Sequence, residues 1–233
     1  MTIECFDSYE ELSVRAADAI AGTVRGNPEA HLCLATGSSP LGAYREIGRR
    51  VNIGEFNLSR VRITKLDEWL GVPMSHSSTC ETFLRREVLI PWAVPEDRYL
   101  SFDSDSLNPL TECFRIENAL DGLPAFDLCL LGIGANGHLG LNEPGTELQL
   151  SAHVAVLAES TRHHPMLGAT ELEQGMTLGL GRIMSSRRIL LLVVGENKAT
   201  AWKRLLEQTI TTALPASLLH LHPNVICIST LPA

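Results

Sequence analysis

The sequence lacks a basic surplus: 19 Lys and Arg stand against 27 Asp and Glu, for a formal net charge of −8. Broad nucleic-acid binding requires a basic face that neutralises phosphates, so this balance excludes it. One anionic small ligand remains possible, because a few placed cations and a helix N-terminus can hold a phosphate inside an acidic protein. Any such site must be local.

Paired-cysteine motifs are also missing. None of the six cysteines forms a CxxC pair or a Cys/His spacing typical of zinc sites. Three of them, Cys33, Cys129 and Cys227, lie inside apolar runs, which predicts buried free thiols. We expect neither a metal ion nor a cofactor.

No apolar run approaches the roughly 18 residues that span a bilayer. The first seven residues carry neither the basic nor the apolar region of a secretory signal. We therefore expect no membrane partner, and the reduced cysteines favour a cytoplasmic location.

Apolar strand-like runs alternate with amphipathic helical patterns along the whole chain. Capping boxes at Ser8/Glu11 and Ser78/Glu81 predict two helix starts. Continuous apolar strands separated by helices are typical of an open, mostly parallel sheet with helices on both faces, a modified Rossmann-like α/β fold. We find no linker or repeat, so residues 1–233 are predicted to form a single domain. The predicted strands are 30–35, 61–66, 98–102, 126–131, 188–194 and 225–229, and the predicted helices are 8–24, 41–51, 79–89, 108–120 and 197–207.

Three predicted strand ends carry polar or Gly-rich segments, and in open parallel sheets ligands bind at the carboxyl ends of strands. The first segment is Thr36, Gly37, Ser38 and Ser39, followed by Pro40. It reads either as a phosphate cradle at a helix N-terminus or as an ordinary strand-to-helix turn.

The second segment contains Asp67 and Glu68 directly after a predicted strand. One carboxylate held in a water-poor pocket could act as a general base toward a carbon-bound proton. The alternative is a solvated acidic turn.

The third segment runs from residue 132 to residue 144 and is rich in glycine, including Gly134 and Gly137. It also holds His138, which can exchange protons near neutral pH, and Glu143, which can orient it. The glycines formally match G-x-G-x-x-G, but residues 139–148 read poorly as a helix, so we set a dinucleotide site aside.

At these residues the sequence resembles the glucosamine-6-phosphate deaminase family, which shares its fold with 6-phosphogluconolactonases. The matching segments are TGSSP, LDEW, GANGHLGLNEP, MTLGLG, VGENK and LHLHP, in this order along the chain. The NEP ending is similar to the deaminases rather than to the lactonases.

The resemblance implies a role for several residues. Asp67 matches the enolisation base, His138 the ring-opening histidine, and Glu143 the glutamate that assists it. Phosphate contacts are implied for Thr36–Ser39, for the backbone at Gly134 and Gly137, for Arg162 and for Lys198.

Two positions depart from the family pattern. Asn136 stands where hexosamine deaminases typically carry Asp, and this variant resembles the galactosamine-6-phosphate branch. A further phosphate-binding arginine of the family falls near Leu167, which is not basic; His163 or His164 could compensate.

The resemblance implies conversion of an amino-sugar 6-phosphate, galactosamine 6-phosphate before glucosamine 6-phosphate, to a ketohexose 6-phosphate and ammonia. The rival hypotheses are a 6-phosphogluconolactonase and a non-catalytic sugar-phosphate sensor. Retention of Asp67, His138 and Glu143 favours an enzyme, and the sequence allows a homo-oligomer.

Overall fold

Helices and strands alternate along the computed structural model, which describes residues 1–168 and 170–233. The strands are β1 (Thr2–Cys5), β2 (His31–Leu34), β3 (Arg62–Lys65), β4 (Asp67–Trp69), β5 (Tyr99–Leu100), β6 (Leu128–Gly132), β7 (His153–Val156), β8 (Gln174–Thr177), β9 (Ile189–Val193) and β10 (Val225–Ser229). The α-helices are α1 (Tyr9–Gly26), α2 (Ser38–Asn52), α3 (Cys80–Leu84), α4 (Ile90–Trp92), α5 (Pro109–Asp121), α6 (Glu159–Arg162), α7 (Leu180–Met184) and α8 (Ala199–Leu206). A π-helix (Arg85–Leu89) joins α3 to α4, and 3₁₀ turns lie at Glu96–Arg98, Pro165–Leu167, Glu196–Lys198 and Pro215–Leu221.

The main sheet contains seven strands in the order β1-β10-β9-β6-β2-β3-β5. Every pair in it is parallel. The predicted α/β fold with an open, mostly parallel sheet is therefore confirmed. β9 is buried along its whole length, as its unbroken Ile-Leu-Leu-Leu-Val run predicts for a strand covered on both faces.

Helices cover both faces of this sheet because each presents an apolar stripe to it. One apolar cluster packs α1, α2 and the α3–α4 segment against alternate residues of β2, β6 and β9. The opposite cluster packs α5, α7 and α8 against the intervening residues of the same strands. Cys33, Cys129 and Cys227 are buried free thiols, as predicted.

Of the two predicted capping boxes, the N-cap at Ser8 is confirmed and the one at Ser78 is wrong, although a helix does begin close by at Cys80. The Ser8 side chain accepts the Glu11 backbone N–H and caps α1. At α3, however, the N-cap is Thr79, which accepts from the Thr82 backbone. Glu81 is not free to complete a capping box, because its carboxylate lies 3.1 Å from the buried ammonium of Lys65.

A second, three-stranded antiparallel sheet in the order β4-β8-β7 was not predicted. Its first strand begins at Asp67, two residues after β3 ends at Lys65. The chain therefore passes from the main sheet into the small one at the candidate base, and the antiparallel register Asp67↔Thr177 fixes the backbone there.

Among residues 1–168 and 170–233, no helix is long and apolar enough to cross a membrane.

Candidate active site

A cavity of about 550 Å³ opens at the carboxyl ends of the parallel strands. The three segments singled out in the sequence, which are far apart along the chain, all line it. The predicted site residues in its lining are Thr36, Gly37, Ser38, Ser39, Asp67, Gly134, His138 and Lys198.

The first wall of the cavity is the N-terminus of α2. Gly37 is its N-cap with φ of 102°, a conformation that favours glycine because it carries no Cβ. In the described structure no side chain caps this helix, so its first backbone N–H groups face the cavity with the positive end of the helix dipole. The Tyr9 hydroxyl fixes the turn by donating to the Ser38 carbonyl at 2.6 Å. This wall suits an anion such as phosphate.

Asp67 forms the second wall. Its burial, followed by the nearby charge of Glu68, raises the pKa of Asp67 to about 6, despite the opposing effects of His138 and Lys65. The Cys80 thiol donates to Asp67 Oδ1 across 3.8 Å. A carboxylate with a pKa near 6 is a stronger base than an exposed aspartate and is still largely ionised at neutral pH.

The neighbouring Glu68 points away from the cavity into the protein. Its Oε1 accepts the backbone N–H groups of Trp69 and Cys80, at 2.8 and 2.9 Å. Its Oε2 accepts from the Lys65 ammonium at 2.6 Å. The two adjacent carboxylates thus divide their roles, as strand alternation requires: Asp67 faces the cavity and Glu68 holds the surrounding backbone.

His138 lines the same cavity, and its ring contacts Glu143. Its Nδ1 is 3.2 Å from Glu143 Oε2. Asn136 Nδ2 donates to that same oxygen at 2.7 Å, and its Oδ1 accepts the His138 backbone N–H at 3.2 Å. Neither Glu143 nor Asn136 lines the cavity. Their hydrogen bonds orient the imidazole and leave its Nε2 for a ligand.

The charge on Glu143 is stabilised in this setting. Burial alone would raise the pKa of Glu143, but the hydrogen bond and charge of His138, with the hydrogen bonds of Thr161 and Asn136, lower it to about 2. A carboxylate that stays ionised fixes a proton on His138 Nδ1, so that Nε2 can accept one.

Two glycines of the third segment serve packing. A Cβ on Gly134 would collide with the His138 ring, so glycine lets the imidazole lie flat against the backbone. Gly137 has φ of 90°, and a Cβ there would collide with Leu214. Gly137 is buried against that side chain and does not line the cavity. The residues after it form turns rather than a helix, consistent with rejecting a dinucleotide motif.

Of the two basic residues predicted to contact phosphate, the structure brings only Lys198 to the cavity. Burial lowers the pKa of the Lys198 ammonium. Arg162 is exposed outside the cavity, where its Nε donates to the Leu157 carbonyl at 3.0 Å. Sequence reasoning missed Arg86, which does line the cavity; its place within a charged Arg-Arg-Glu run gave no signal for it.

The matching family model is described as glucosamine-6-phosphate isomerases/6-phosphogluconolactonase and covers residues 7–227. The chain belongs to this family. A protein of Escherichia coli K12 named "Putative deaminase AgaI" is 41% identical over 229 residues, with 97% of this chain and 91% of that protein covered. A glucosamine-6-phosphate deaminase of a Geobacillus species is 38% identical, with 95% and 90% covered.

Solved structures agree with the family assignment. A monomeric glucosamine-6-phosphate deaminase, described as a missing link of the NagB superfamily, superposes with a TM-score of 0.93 at 34% identity, covering 98% of this chain and 97% of that one. The 6-phosphogluconolactonase of Trypanosoma brucei has a TM-score of 0.80 at 21% identity, covering 98% and 95%. At that identity the lactonase shares the fold alone.

Proposed function

We propose that this protein isomerises and deaminates an amino-sugar 6-phosphate, giving a ketohexose 6-phosphate and ammonia. The observation that carries the proposal is that a carboxylate with a pKa of about 6 and an imidazole line one cavity beside an uncapped helix N-terminus. A sugar anchored there by its phosphate would lie between an acid and a base.

Ring opening falls to His138. With Glu143 bound at Nδ1, Nε2 takes the anomeric hydroxyl proton and returns a proton to the ring oxygen as the C1–O bond breaks. The product is the open-chain aldehyde with its amino group on C2.

Asp67 then removes the C2 proton, which is acidic because C2 is next to the aldehyde. The resulting enolamine accepts a proton at C1 and becomes a C2 imine. Water adds to the imine and ammonia leaves, so one water is consumed for each ammonia released. A well-placed acid or base supplies about 10²–10⁴ in rate at each such step.

The preferred epimer is proposed to be galactosamine 6-phosphate. Support comes from Asn136, the residue by which the sequence resembles the galactosamine branch. The Asn136 amide donates to Glu143 Oε2, a contact that an ionised Asp could not make without placing two carboxylates together. The glucosamine epimer is the second candidate.

The test is ammonia release from both epimeric hexosamine 6-phosphates, with loss of 6-phosphogluconolactone measured in parallel. We expect ammonia from both amino sugars, with the higher kcat/KM for the galacto epimer. Lactone loss without any ammonia would refute the deaminase proposal. A higher kcat/KM for the gluco epimer would refute only the epimer preference.

A further inference from the structure

We propose that Arg86 is the second cation that holds the substrate's phosphate, opposite Lys198. This inference rests on the proposed function, because it assigns a residue to the phosphate of the same substrate. Arg86 takes the role in phosphate binding that the sequence predicted for Arg162.

The charges in the cavity lining point to a phosphate. Among the described residues that line it, Arg86 and Lys198 are the arginine and lysine side chains and Asp67 is the sole carboxylate. The chain as a whole carries a net charge of −8. The charged side chains of the cavity lining, in contrast, include more cations than carboxylates. A phosphate monoester bears nearly two negative charges at neutral pH, and two cations match it.

The other basic candidates are weaker. Arg162 lies outside the cavity. His164 lines it, but burial, followed by the charges of Lys198 and His138, lowers the pKa of His164 to about 4. A histidine with that pKa is neutral at pH 7 and brings no charge to the phosphate.

Arg86 is placed by the π-helix Arg85–Leu89, which follows the regular turn of α3. Short π-helical segments occur frequently at functional sites. The preceding residues Cys80 and Phe83 line the same cavity, so this helical segment forms one of its walls and Arg86 extends that wall by one turn.

The phosphate cradle and Arg86 line the same cavity. Glu87 pairs with Arg86 Nε at 2.7 Å and with Arg45 Nε at 2.9 Å. Arg45 belongs to α2, two turns after the uncapped N-terminus at Ser38, and Leu41 on the intervening turn also lines the cavity. Because Glu87 engages Arg86 through Nε, the two terminal nitrogens of the guanidinium remain for a bidentate contact with phosphate.

The exposure of Arg86 suits ligand capture. Its side chain is 64% exposed, nearly the same as the 65% of Arg45, which shares Glu87 but lies outside the cavity. Arg45 is therefore a matched control: both substitutions remove one arginine from the same carboxylate, and only one alters the cavity.

The experiment measures binding of glucitol 6-phosphate by calorimetry to the wild type, Arg86→Gln, Arg86→Lys and Arg45→Gln. The probe has no carbonyl group, so it cannot be isomerised and binding is read without catalysis. We expect Arg86→Gln to weaken binding about tenfold or more, as loss of a charge-assisted hydrogen bond does. Arg86→Lys keeps the charge but cannot make the bidentate contact, so its affinity should lie between those of the wild type and Arg86→Gln. Arg45→Gln should bind within about twofold of the wild type.

Equal affinity of Arg86→Gln and Arg45→Gln would overturn the inference. So would a wild type that binds no better to glucitol 6-phosphate than to unphosphorylated glucitol. A wild type that binds the probe through Arg86 but releases no ammonia from either hexosamine phosphate would instead refute the proposed function and leave the phosphate assignment standing.

Discussion

At the scale of single residues, the reactivity of the site depends on which carboxylates are kept ionised. Burial raises the pKa of Asp67 to about 6, whereas His138 and its neighbours outweigh burial and lower the pKa of Glu143 to about 2. The two acids are thus separated by environment, one as an acceptor of protons and one as a fixed charge.

The thiol beside the base supports one prediction. Cys80 accepts from the Thr36 hydroxyl at 3.2 Å and donates to Asp67, and this hydrogen bond favours the ionised carboxylate. In kcat/KM for ammonia release we expect an acid limb near pH 6. Cys80→Ala should move the limb to higher pH, because the donor is lost, and Cys80→Ser, which keeps a donor, should move it less.

The pH profile separates this effect from a loss of packing. Cys113→Ala is the control, since Cys113 is buried in the core away from the cavity and should leave the limb unchanged. Alanine and serine at position 80 giving the same limb would contradict the role of the thiol.

Asn136 supports a second prediction at this scale. Asn136→Asp would place a carboxylate where an amide now donates to Glu143 Oε2 at 2.7 Å. Like charges at that separation cannot both ionise readily, so the titration midpoint of Glu143 should rise well above its present value of about 2. Carbon NMR of labelled glutamate measures this midpoint. Asn136→Ala removes the donor without adding charge and should raise the titration midpoint of Glu143 less. An unchanged midpoint in Asn136→Asp would argue against the hydrogen bond from Asn136 to Glu143.

At the scale of elements, the base is held by the buried cluster of Lys65, Glu68 and Glu81. The side chains are 0 to 4% exposed. Besides Glu68 and Glu81, the Lys65 ammonium donates to the Phe102 carbonyl at 2.9 Å. The cluster ties β3, β4 and the N-terminus of α3 together, and these are the elements that position Asp67 and Cys80.

Removing the cation should therefore destabilise the fold. Lys65→Met leaves the buried Glu68 without a cation, while Glu81 keeps its pair with Arg85 at 2.6 Å, and we expect the free energy of unfolding to fall by about 3–5 kcal/mol. Urea denaturation at pH 7 measures it. Lys203→Met, at an exposed lysine on α8, is the matched control and should change stability by less than about 0.5 kcal/mol. Similar losses in both variants would show that the cluster contributes little.

The strands of the second sheet were ones that the sequence could not predict. β4 has three residues and β7 and β8 have four each, and the pairing of β4 with β8 joins residues that lie 106–110 positions apart in the chain. Such strands depend on tertiary contacts more than on local pattern. The capping box at Ser78 failed for a related reason, since the buried ammonium of Lys65 determines the place of Glu81.

At the scale of the whole molecule, long apolar runs sufficed to predict the central strands of the main sheet, but not its edge strand β1. The runs containing β2, β6, β9 and β10 are continuous and largely buried. Their unbroken apolar pattern located the strands, and the helices between them predicted that the strands run parallel. The convergence of Thr36, Asp67 and His138 followed from the strand-end rule. Arg86 could not be predicted, because a π-helix in a charged run determines where that side chain points.

The central claim is that Asp67 removes a proton from a sugar that His138 has opened in the same cavity. The most direct measurement is kcat for ammonia release by Asp67→Asn against the wild type, with glucitol 6-phosphate affinity measured for both. The account predicts a loss in kcat of at least about 10² with affinity retained, since the substitution removes the base and leaves the phosphate contacts. Turnover within about tenfold of the wild type would contradict it.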